Sequence, residues 1–324
     1  MLNLERLRVL QAVARHGSVT AAAAELHVTT SAVSQQLAKL ERESGTTLVE
    51  RSGRGIRLTD AAHLLAGHAS ALLSMAEMAQ ADLNARAGTV TGRLVLASLP
   101  TATRGLAAPA LRQLARAHPA LRVELTEADP CQSIPALVQG AADLVIAHGW
   151  SNAPLAAPDG LAKTLLVDDL ADIAVPAAHP LAGNAAETPQ RAVELAQLGA
   201  GPWICGTPGT SCHDWLTFTL RSAHLEPQFA HTANEYATQL ALVAAGLGIA
   251  VMPRLGRGHL PAGVRMIAVR PTLRRNIYAL WRTTAARRPA INAAVSALRE
   301  AAAQADEPAG GQDTAPNAAT VSWP

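Results

Sequence analysis

The chain has 324 residues, of which 49% are hydrophobic, enough apolar material for two or three domains with their own cores. A net charge of only +2 excludes a generic polycation, so any affinity for nucleic acid has to come from a local patch. Three cysteines in a chain of this length argue against a disulfide framework. The N-terminus lacks the basic-then-apolar order of a signal peptide, and no apolar run reaches membrane-spanning length, so we expect a cytoplasmic protein with no membrane partner.

The first sixty residues or so predict three short helices in succession. Asn3 is placed to cap a helix that ends near Gly17. Ser18 caps a second helix that consists largely of alanine, and Thr29 or Thr30 caps a third. The last two helices, joined by a tight turn, have the pattern of a helix-turn-helix.

The third helix has one apolar face and one polar face. Val33, Leu37 and Leu40 recur at intervals of four and three residues, which predicts a buried stripe. The opposite face offers hydroxyls, an amide and one lysine without any acid, a composition that suits a DNA major groove. On this stretch alone, a helical hairpin with a solvated face is an equally good interpretation. The candidate DNA contacts in these helices are Ser18, Thr29, Thr30, Ser31, Ser34, Gln35 and Lys39.

A basic hairpin is predicted next. Residues 48–58 alternate apolar and polar side chains around two glycines, with Arg51, Arg54 and Arg57 at or near the tip. Beside a helix-turn-helix, such a hairpin is a wing whose arginines reach phosphates or a narrow minor groove. A solubilising surface hairpin is the alternative. Positions 1–58 hold eight cations and five anions, so the positive excess is local, as DNA binding requires.

A long helix follows, capped by Thr59 and Asp60 and running to about Ala87. Its apolar residues form a heptad-like seam at Ala62, Leu65, Ala69, Leu72, Ala76, Ala79 and Leu83. A second copy of the same helix is the economical partner for this stripe, because dimeric DNA readers bind two related half-sites. Burial of the stripe against its own domain is the alternative.

Residues 1–90 resemble the N-terminal part of LysR-type transcriptional regulators. The matching motifs are Leu4-x-x-Leu7-x-x-Leu10, Gly17-Ser18-Val19-x-x-Ala22-Ala23, Ser31-Ala32-Val33-Ser34-Gln35-Gln36-Leu37-x-x-Leu40-Glu41, Glu50-Arg51 and Leu58-Thr59. Thr30 stands where the family often has glutamine, and Val49 replaces the usual phenylalanine. The resemblance implies a homodimer, or a homotetramer, that binds double-stranded DNA at an interrupted palindromic promoter site and has RNA polymerase as a further partner.

From Thr91 onward the pattern changes to alternating strands and helices. Strands at 93–98, 121–127 and 143–147, separated by helices at 106–117 and 133–139, predict a parallel sheet with crossover helices. A second set has strands at 172–175, 203–204 and 248–251 and helices near 189–198, 211–223 and 239–245. A strand at 275–281 and a helix at 289–303 complete the region, and the composition beyond Gln304 predicts disorder.

This region resembles the effector-binding domain of the same family, through Gly140-x-x-Asp143-Leu144-Val145-Ile146 and the run Val243-Ala244-Ala245-Gly246-Leu247-Gly248-Ile249-Ala250. The fold class implied is α/β, with an N-terminal all-α winged helix-turn-helix, a long linker helix and a two-lobed effector domain similar to periplasmic binding proteins. The predicted domains are the DNA-binding domain (1–59), the linker and dimerisation helix (60–88), the effector-binding domain (89–303) and a disordered tail (304–324). Lobe one takes in 89–165 and 270–303, and lobe two takes in 166–269.

Candidate effector contacts lie where strands end and helices begin, since ligands of open α/β sheets bind at strand carboxyl ends beside helix N-termini. They are Ser98, Thr101, Thr103, His148, Trp203, Thr207 and Asn234. Hydroxyls at these positions suit a small carboxylate, although each residue alone is equally consistent with simple helix capping. We therefore expect no cofactor and a small-molecule effector, an anionic metabolite such as a carboxylate.

Other patterns predict different chemistry less well. Gly246-Leu247-Gly248 lacks the third glycine and the preceding strand of a nucleotide loop. Cys205 with Cys212-His213 is a candidate zinc site without a second close pair, or a thiol switch by disulfide formation; free, packed cysteines are the default.

Two other classes of protein remain alternatives to a regulator. One is an α/β enzyme with a helical appendage, but the sequence contains no Gly-x-Ser-x-Gly elbow, P-loop or His-Glu-x-x-His motif to support it. The other is a periplasmic binding protein, which needs an export signal that the sequence does not show. We therefore predict a non-enzymatic DNA-binding regulator in which the effector moves the lobes and re-spaces the DNA-binding pairs.

Overall fold

In the computed structural model, the described residues are 2–52, 55–85, 90–183, 192–199 and 201–306. The N-terminal unit consists of α1 (Leu4–His16), α2 (Val19–Glu25), α3 (Thr30–Ser44), β1 (Val49–Ser52) and β2 (Gly55–Leu58). The predicted caps are confirmed, because Asn3, Ser18 and Thr29 each accept a backbone N–H from the first turn of the helix they precede. Of the two candidate caps for α3, the structure therefore selects Thr29 over Thr30.

The linker helix α4 (Asp60–Ala85) uses its apolar seam in two ways. Its first half packs against α1, where Ala62 and Ala69 are fully buried in the core of the N-terminal unit. Farther along, Leu72 and Leu83 are exposed. Burial against its own domain, the alternative interpretation, therefore accounts for only the first half of the seam.

The C-terminal region alternates strands and helices as predicted over residues 92–150, and farther along it contains runs of consecutive strands. In chain order its elements are β3 (Gly92–Ser98), α5 (Pro100–Ala102), a π-helical turn (Thr103–Ala107), α6 (Ala108–Ala117), β4 (Leu121–Glu127), α7 (Pro130–Val138), β5 (Leu144–Trp150), β6 (Leu161–Pro176), β7 (Val193–Glu194), a 3-10 turn (Leu195–Leu198), β8 (Trp203–Cys205), α8 (Ser211–Ser222), β9 (Phe229–Thr232), α9 (Tyr236–Ala244), β10 (Ala250–Pro253), β11 (Val264–Ile267), β12 (Val269–Arg270), β13 (Leu273–Arg282), a 3-10 turn (Thr283–Ala285) and α10 (Pro289–Asp306).

One mixed sheet joins the two lobes. Its strand order is β10-β6-β13-β5-β3-β4, with β11 also paired to β6. Strand β3 runs parallel to β4 and β5, whereas β13 is antiparallel to β5 and β6. The 16-residue strand β6 pairs with β13 along its first part and with β10 and β11 along its last part, so it passes from one lobe into the other. Of these 16 residues, only 172–175 were predicted from the sequence to form a strand.

Each lobe has its own hydrophobic core. In lobe one, the π-helical turn, α6 and α10 pack on the sheet, and Leu106 of the turn, Ile277 of β13 and Ile291 of α10 are fully buried. In lobe two, Trp203 and Leu220 are fully buried in a cluster beneath α8. The parallel strands of lobe one have their carboxyl ends at the cleft between the two lobes.

Helix α7 starts earlier than the predicted 133–139. It begins at Pro130 because the Asp129 side chain accepts the backbone N–H of Cys131 and caps the helix. Pro130 at the first helical position lacks an N–H that would otherwise need a partner. The predicted strand at 143–147 is also longer, since β5 continues to Trp150 and contains His148 rather than ending before it.

Some predictions fall on residues outside the described ranges. They are the end of the linker helix at Ala87, the first residues of the helix predicted near 189–198, and the tail from residue 307 onward. For the described rest of that helix the prediction is wrong, because the chain forms the short strand β7 (Val193–Glu194) and a 3-10 turn (Leu195–Leu198) there. Helix α10 itself continues to Asp306, two residues past Gln304, where the tail was predicted to begin. Within the described ranges, no helix combines the length and apolar character needed to cross a lipid bilayer.

Candidate functional sites

The exposed face of α3 carries the polar residues predicted to read DNA. Thr30, Ser31, Ser34, Gln35 and Lys39 are exposed. The opposite stripe, Val33, Leu37 and Leu40, is at most 1% exposed and packs into the core of the N-terminal unit. The helix is therefore held from one side only and presents a complete polar face to solvent.

The side chains on and around this face differ in how far they are already engaged. The hydroxyls of Ser18 and Thr29 are used as helix caps, and Ser34 Oγ donates to the Thr30 carbonyl at 3.0 Å. The side chains of Gln35 and Lys39 have no hydrogen bond or ion pair with any part of the chain that the structure describes. The amide and the ammonium are thus the two groups best placed to bond to an external partner.

The predicted wing is held against α3 by Glu41. Its Oε1 accepts the backbone N–H groups of Leu48 and Val49 at 2.8 and 3.1 Å, which fixes where the first strand of the hairpin starts. Arg57 is exposed on β2 and pairs with Glu50 at 3.0 Å across the hairpin. The side chain of Arg51 and the whole of Arg54 lie outside the described part of the structure.

A cavity of about 410 Å³ lies between the two lobes. It sits at the carboxyl ends of β3 and β4 and faces the loop before α8, as the topology of an α/β sheet predicts. Its lining comprises Leu99, Pro100, Glu127, Ala128, Asp129, Cys131, Gln132, His148, Gly206, Thr207, Pro208, Gly209, Thr210, Cys212, Asn234, Tyr236, Gln239 and Arg275. The volume falls in the usual range for small-molecule sites.

Arg275, on β13, is a fully buried cation in the lining of this cavity. Its Nε donates to Asp169 at 2.8 Å and its Nη2 donates to Thr101 at 2.9 Å. The remaining nitrogen, Nη1, has no hydrogen-bond partner among the described residues. Because a buried charged donor without an acceptor is costly, this atom is a natural contact for a bound anion or carbonyl oxygen.

His148, Cys212 and Tyr236 form a second polar group in the lining. Cys212 Sγ lies 3.5 Å from the Tyr236 hydroxyl and 4.0 Å from His148 Nε2. Burial lowers the pKa of His148 to about 3, so the ring is neutral at physiological pH. Burial also raises the pKa of both Cys212 and Tyr236, so all three groups act as neutral hydrogen-bonding partners.

Asp129, in the cavity lining, bonds to residues of both lobes. Besides capping α7 in lobe one, its carboxylate accepts both the backbone N–H and the hydroxyl of Ser211, the first residue of α8 in lobe two. Thr210, which precedes α8, makes no side-chain capping bond of its own. One carboxylate therefore caps two helices and ties the lobes together.

An aromatic contact adds to this tie. The rings of Trp150 on β5 and Trp215 on α8 are stacked, with centroids 3.5 Å apart. Trp215 Nε1 donates to Asn152 Oδ1 at 2.7 Å, and Asn152 donates in turn to Thr219 of the same helix. His148 meets Trp150 edge-on at 6.0 Å, so the stack is next to the cavity lining.

The seven predicted effector residues fall into three groups. His148, Thr207 and Asn234 line the cavity, and Thr101 lies behind Arg275 as its hydrogen-bond acceptor. The remaining three, Ser98, Thr103 and Trp203, are not part of the lining. Ser98 and Thr103 both donate their hydroxyls to the Leu99 carbonyl, and Trp203 begins β8 inside the core of lobe two instead of ending a strand at the cleft.

Sequence reasoning missed Asp129, Cys212, Tyr236 and Arg275 as cavity residues. Asp129 carried a usable signal, because an acid before Pro130 is a helix-start pattern at the end of a strand. Arg275 carried none, since it lies among several arginines in a strand and its burial depends on pairing with β6.

The cysteine alternatives receive no support from the geometry. All three thiols are free, and burial raises the pKa of Cys205 to about 12, which disfavours the reactive thiolate. Among the described residues, no group of three or more histidines, cysteines and acids is arranged to hold a metal ion.

Comparison with known proteins finds a family match for the N-terminal unit and another for the C-terminal region. The signature of the bacterial regulatory helix-turn-helix protein, lysR family, covers residues 4–63, and that of the LysR substrate binding domain covers residues 87–303. The RuBisCO operon transcriptional regulator of Allochromatium vinosum is 31% identical over 255 residues, which are 78% of this chain and 79% of that protein.

Solved structures share the fold along nearly the whole chain. A full-length OxyR variant from Pseudomonas aeruginosa superposes with a TM-score of 0.67 at 21% identity, covering 92% of this chain and 98% of that one. CbnR in complex with its target DNA gives a TM-score of 0.63 at 21% identity, covering 93% of this chain and 100% of that one.

Proposed function

This chain belongs to the LysR family of bacterial transcriptional regulators, and from that premise we propose how its DNA-reading face and its cavity work together. It is a DNA-binding regulator with an effector-binding domain, and its family consists of regulators rather than enzymes. In the proposal α3 enters the major groove, Gln35 contacts base edges, and Lys39 contacts a phosphate. The observation that carries it is the exposed polar face of α3, with both groups unengaged among the described residues.

We assign to the wing the role of a phosphate and minor-groove contact. Arg51, Arg54 and Arg57 supply three cations on a hairpin of eleven residues, and Glu41 fixes that hairpin to the reading helix. Their contacts add affinity at every sequence, whereas Gln35 adds preference for particular bases.

The functional unit in this proposal is a dimer, or a pair of dimers, acting in the cytoplasm. The linker helix exposes large apolar side chains along its length, among them Leu64 at 67%, Met75 at 56% and Leu83 at 65% exposure. A second copy of α4 covers such a stripe economically. Two reading helices related by a twofold axis then bind an interrupted palindrome, and RNA polymerase is the partner that the bound regulator acts on.

Effector control follows from the position of the cavity between the lobes. A ligand that touches both lobes favours one lobe arrangement over others, which is a population shift. Helix α7 gives this shift a route to the DNA-binding unit. Its first residues lie at the cavity, and the turn after its last residue reaches Gly140, where an added Cβ would lie only 3.3 Å from the Ser70 backbone in α4.

The test is a gel shift of the purified full-length protein on the DNA upstream of its own gene, at two salt concentrations. We expect a discrete complex that survives excess unrelated DNA and weakens as salt rises, because phosphate contacts release counterions. A chain that forms no specific complex there, and that also selects no sequence from fragmented genomic DNA, would contradict the proposal.

A further inference from the structure

We propose that the effector is an amino carboxylate, whose carboxylate binds at Arg275 and whose cationic end binds at Glu127. This inference deepens the proposed function and rests on it, because it concerns the ligand of the same interlobe cavity. It narrows the sequence-based expectation of an anionic metabolite by adding a positive charge to the ligand.

The anionic end is assigned by Arg275. This side chain is fully buried, and Asp169 and Thr101 accept hydrogen bonds from its Nε and Nη2. Its Nη1 is left without an acceptor among the described residues, in the wall of a cavity. A ligand carboxylate would satisfy this donor with a charge-assisted hydrogen bond.

A second unpaired atom lies in the same wall. His148 is 5% exposed, and its Nδ1 has no partner among the described residues. Since the ring is neutral, it offers one hydrogen bond without adding positive charge. The polar groups awaiting a partner in the interior of the cavity are therefore one cationic donor and one neutral imidazole nitrogen.

The cationic end is assigned by two acids in the lining. Glu127 ends β4 and is exposed, and it forms no ion pair within the described part of the chain. Asp129 also lines the cavity, but its oxygens already accept hydrogen bonds from Ser211 and the Cys131 backbone. Glu127 is therefore the acid that is free to bind a ligand ammonium.

Charge balance favours a ligand with both signs over a simple anion. The buried charge of Arg275 is already matched by Asp169, whereas neither lining acid has a cationic partner among the described residues. A dicarboxylate would bring a second negative charge toward Glu127 and Asp129. A simple amine would leave the Arg275 donor unsatisfied, so one molecule with a carboxylate and an ammonium fits both ends.

The test measures binding of matched probes to the full-length protein by calorimetry and by thermal stabilisation. The probes are the standard amino acids with 4-aminobutyrate, the hydroxy acids in which a hydroxyl replaces the ammonium, the corresponding amino amides, and the dicarboxylates succinate and glutarate. We expect at least one amino acid to bind, with its hydroxy-acid and amide counterparts each about tenfold weaker or worse.

Variants of the exposed acid test the orientation without disturbing the core. Glu127→Gln should weaken the amino acid by about two- to fivefold and leave the hydroxy acid unchanged, because only the former has a charge to lose. Glu127→Lys should reverse the preference toward dicarboxylates. Asp159→Asn removes an exposed acid outside the cavity lining and is the matched control, with binding as in the wild type.

Two results would overturn the inference. One is binding of a dicarboxylate or hydroxy acid as tight as that of every amino acid tested. The other is the absence of binding by any amino acid at millimolar concentration, in a preparation that still forms its specific promoter complex. In either case the regulator function itself would stand, since the promoter complex is measured separately.

Discussion

On α3, Gln35 and Lys39 extend into solvent from a helix packed on its other side, whereas in the cavity Arg275 and His148 are buried beside residues from distant parts of the chain. The proposed DNA-reading face is made by one helix, so it can change without affecting the fold. The cavity is made by both lobes, so its polar groups also hold the lobes together. The two sites should therefore respond to substitution in opposite ways.

The largest effect is expected from Arg275→Met. Removing this cation leaves Asp169, which is 4% exposed, as a buried charge without its partner, and should cost about 3–5 kcal/mol of unfolding free energy. Urea denaturation followed by tryptophan fluorescence measures it. Arg274→Ala is the neighbouring control, because its pair with Asp168 is about half exposed and should cost less than about 1 kcal/mol. Equal losses in the two variants would contradict a structural role for the buried pair.

Because His148 is buried, we expect the stability of the effector domain to depend on pH. The pKa of His148 in the folded protein is lowered by burial to about 3, from 6.5, so the unfolded state takes up the proton first as the pH falls. Its contribution to stability is complete above pH 6.5 and declines from there toward about pH 3. Between pH 7 and pH 5 the loss should be about 2 kcal/mol.

Denaturation of His148→Leu at the same two pH values tests this contribution. The variant should lose less stability than the wild type on acidification, by about the same 2 kcal/mol. His63→Asn, which removes an exposed histidine, is the control. A wild-type loss that persists undiminished in His148→Leu would show that other groups account for the acid sensitivity.

Gln35→Ala should change which DNA is bound rather than how stable the protein is. An amide that reads a base edge contributes about 1–3 kcal/mol of discrimination, so affinity should become similar for operators that differ at the contacted base. Binding to a set of single-base operator variants measures this, with Gln113→Ala on α6 as the exposed-glutamine control. Unchanged preference at every position would remove Gln35 from the reading face.

The smallest effect is expected from single phosphate contacts. Lys39→Ala and Arg51→Ala should each make the plot of log affinity against log salt concentration shallower by about one unit, at all DNA sequences alike. The only other lysine of the chain, Lys163, donates to the Leu155 carbonyl and lies over the Tyr278 ring, so Lys163→Ala is a matched control. Slopes equal to that of the wild type would exclude phosphate contacts at these positions.

The same contrast explains what could be predicted from sequence. The caps at Asn3, Ser18 and Thr29 and the stripe on α3 depend on residues within a few positions of one another, so local rules were sufficient. The order of strands and helices was also readable over residues 92–150, whereas the helix predicted near 189–198 is, where described, a short strand and a 3-10 turn. The length of β6 was not readable, because its residues 161–171 are held in a strand by pairing with β13, a hundred residues away.

The cavity was only partly predictable for the same reason. His148, Thr207 and Asn234 were found by their positions at strand and helix ends. Trp203 was predicted to end a strand but begins β8 instead. Arg275 contributes to the cavity because it is fully buried, and no local sequence pattern indicates that burial. Residues that touch a ligand across two lobes are defined by topology, which local sequence rules do not determine.

The central claim is that occupation of the cavity is linked to DNA binding. The most direct test is the affinity and footprint of the full-length protein on its promoter, with and without a saturating amount of the amino acid that binds the cavity most tightly. The account predicts a changed affinity or a changed footprint, and an equal reciprocal change in ligand affinity when DNA is present if the DNA affinity changes. A ligand that binds the cavity and leaves both the promoter affinity and the footprint unaltered would contradict it.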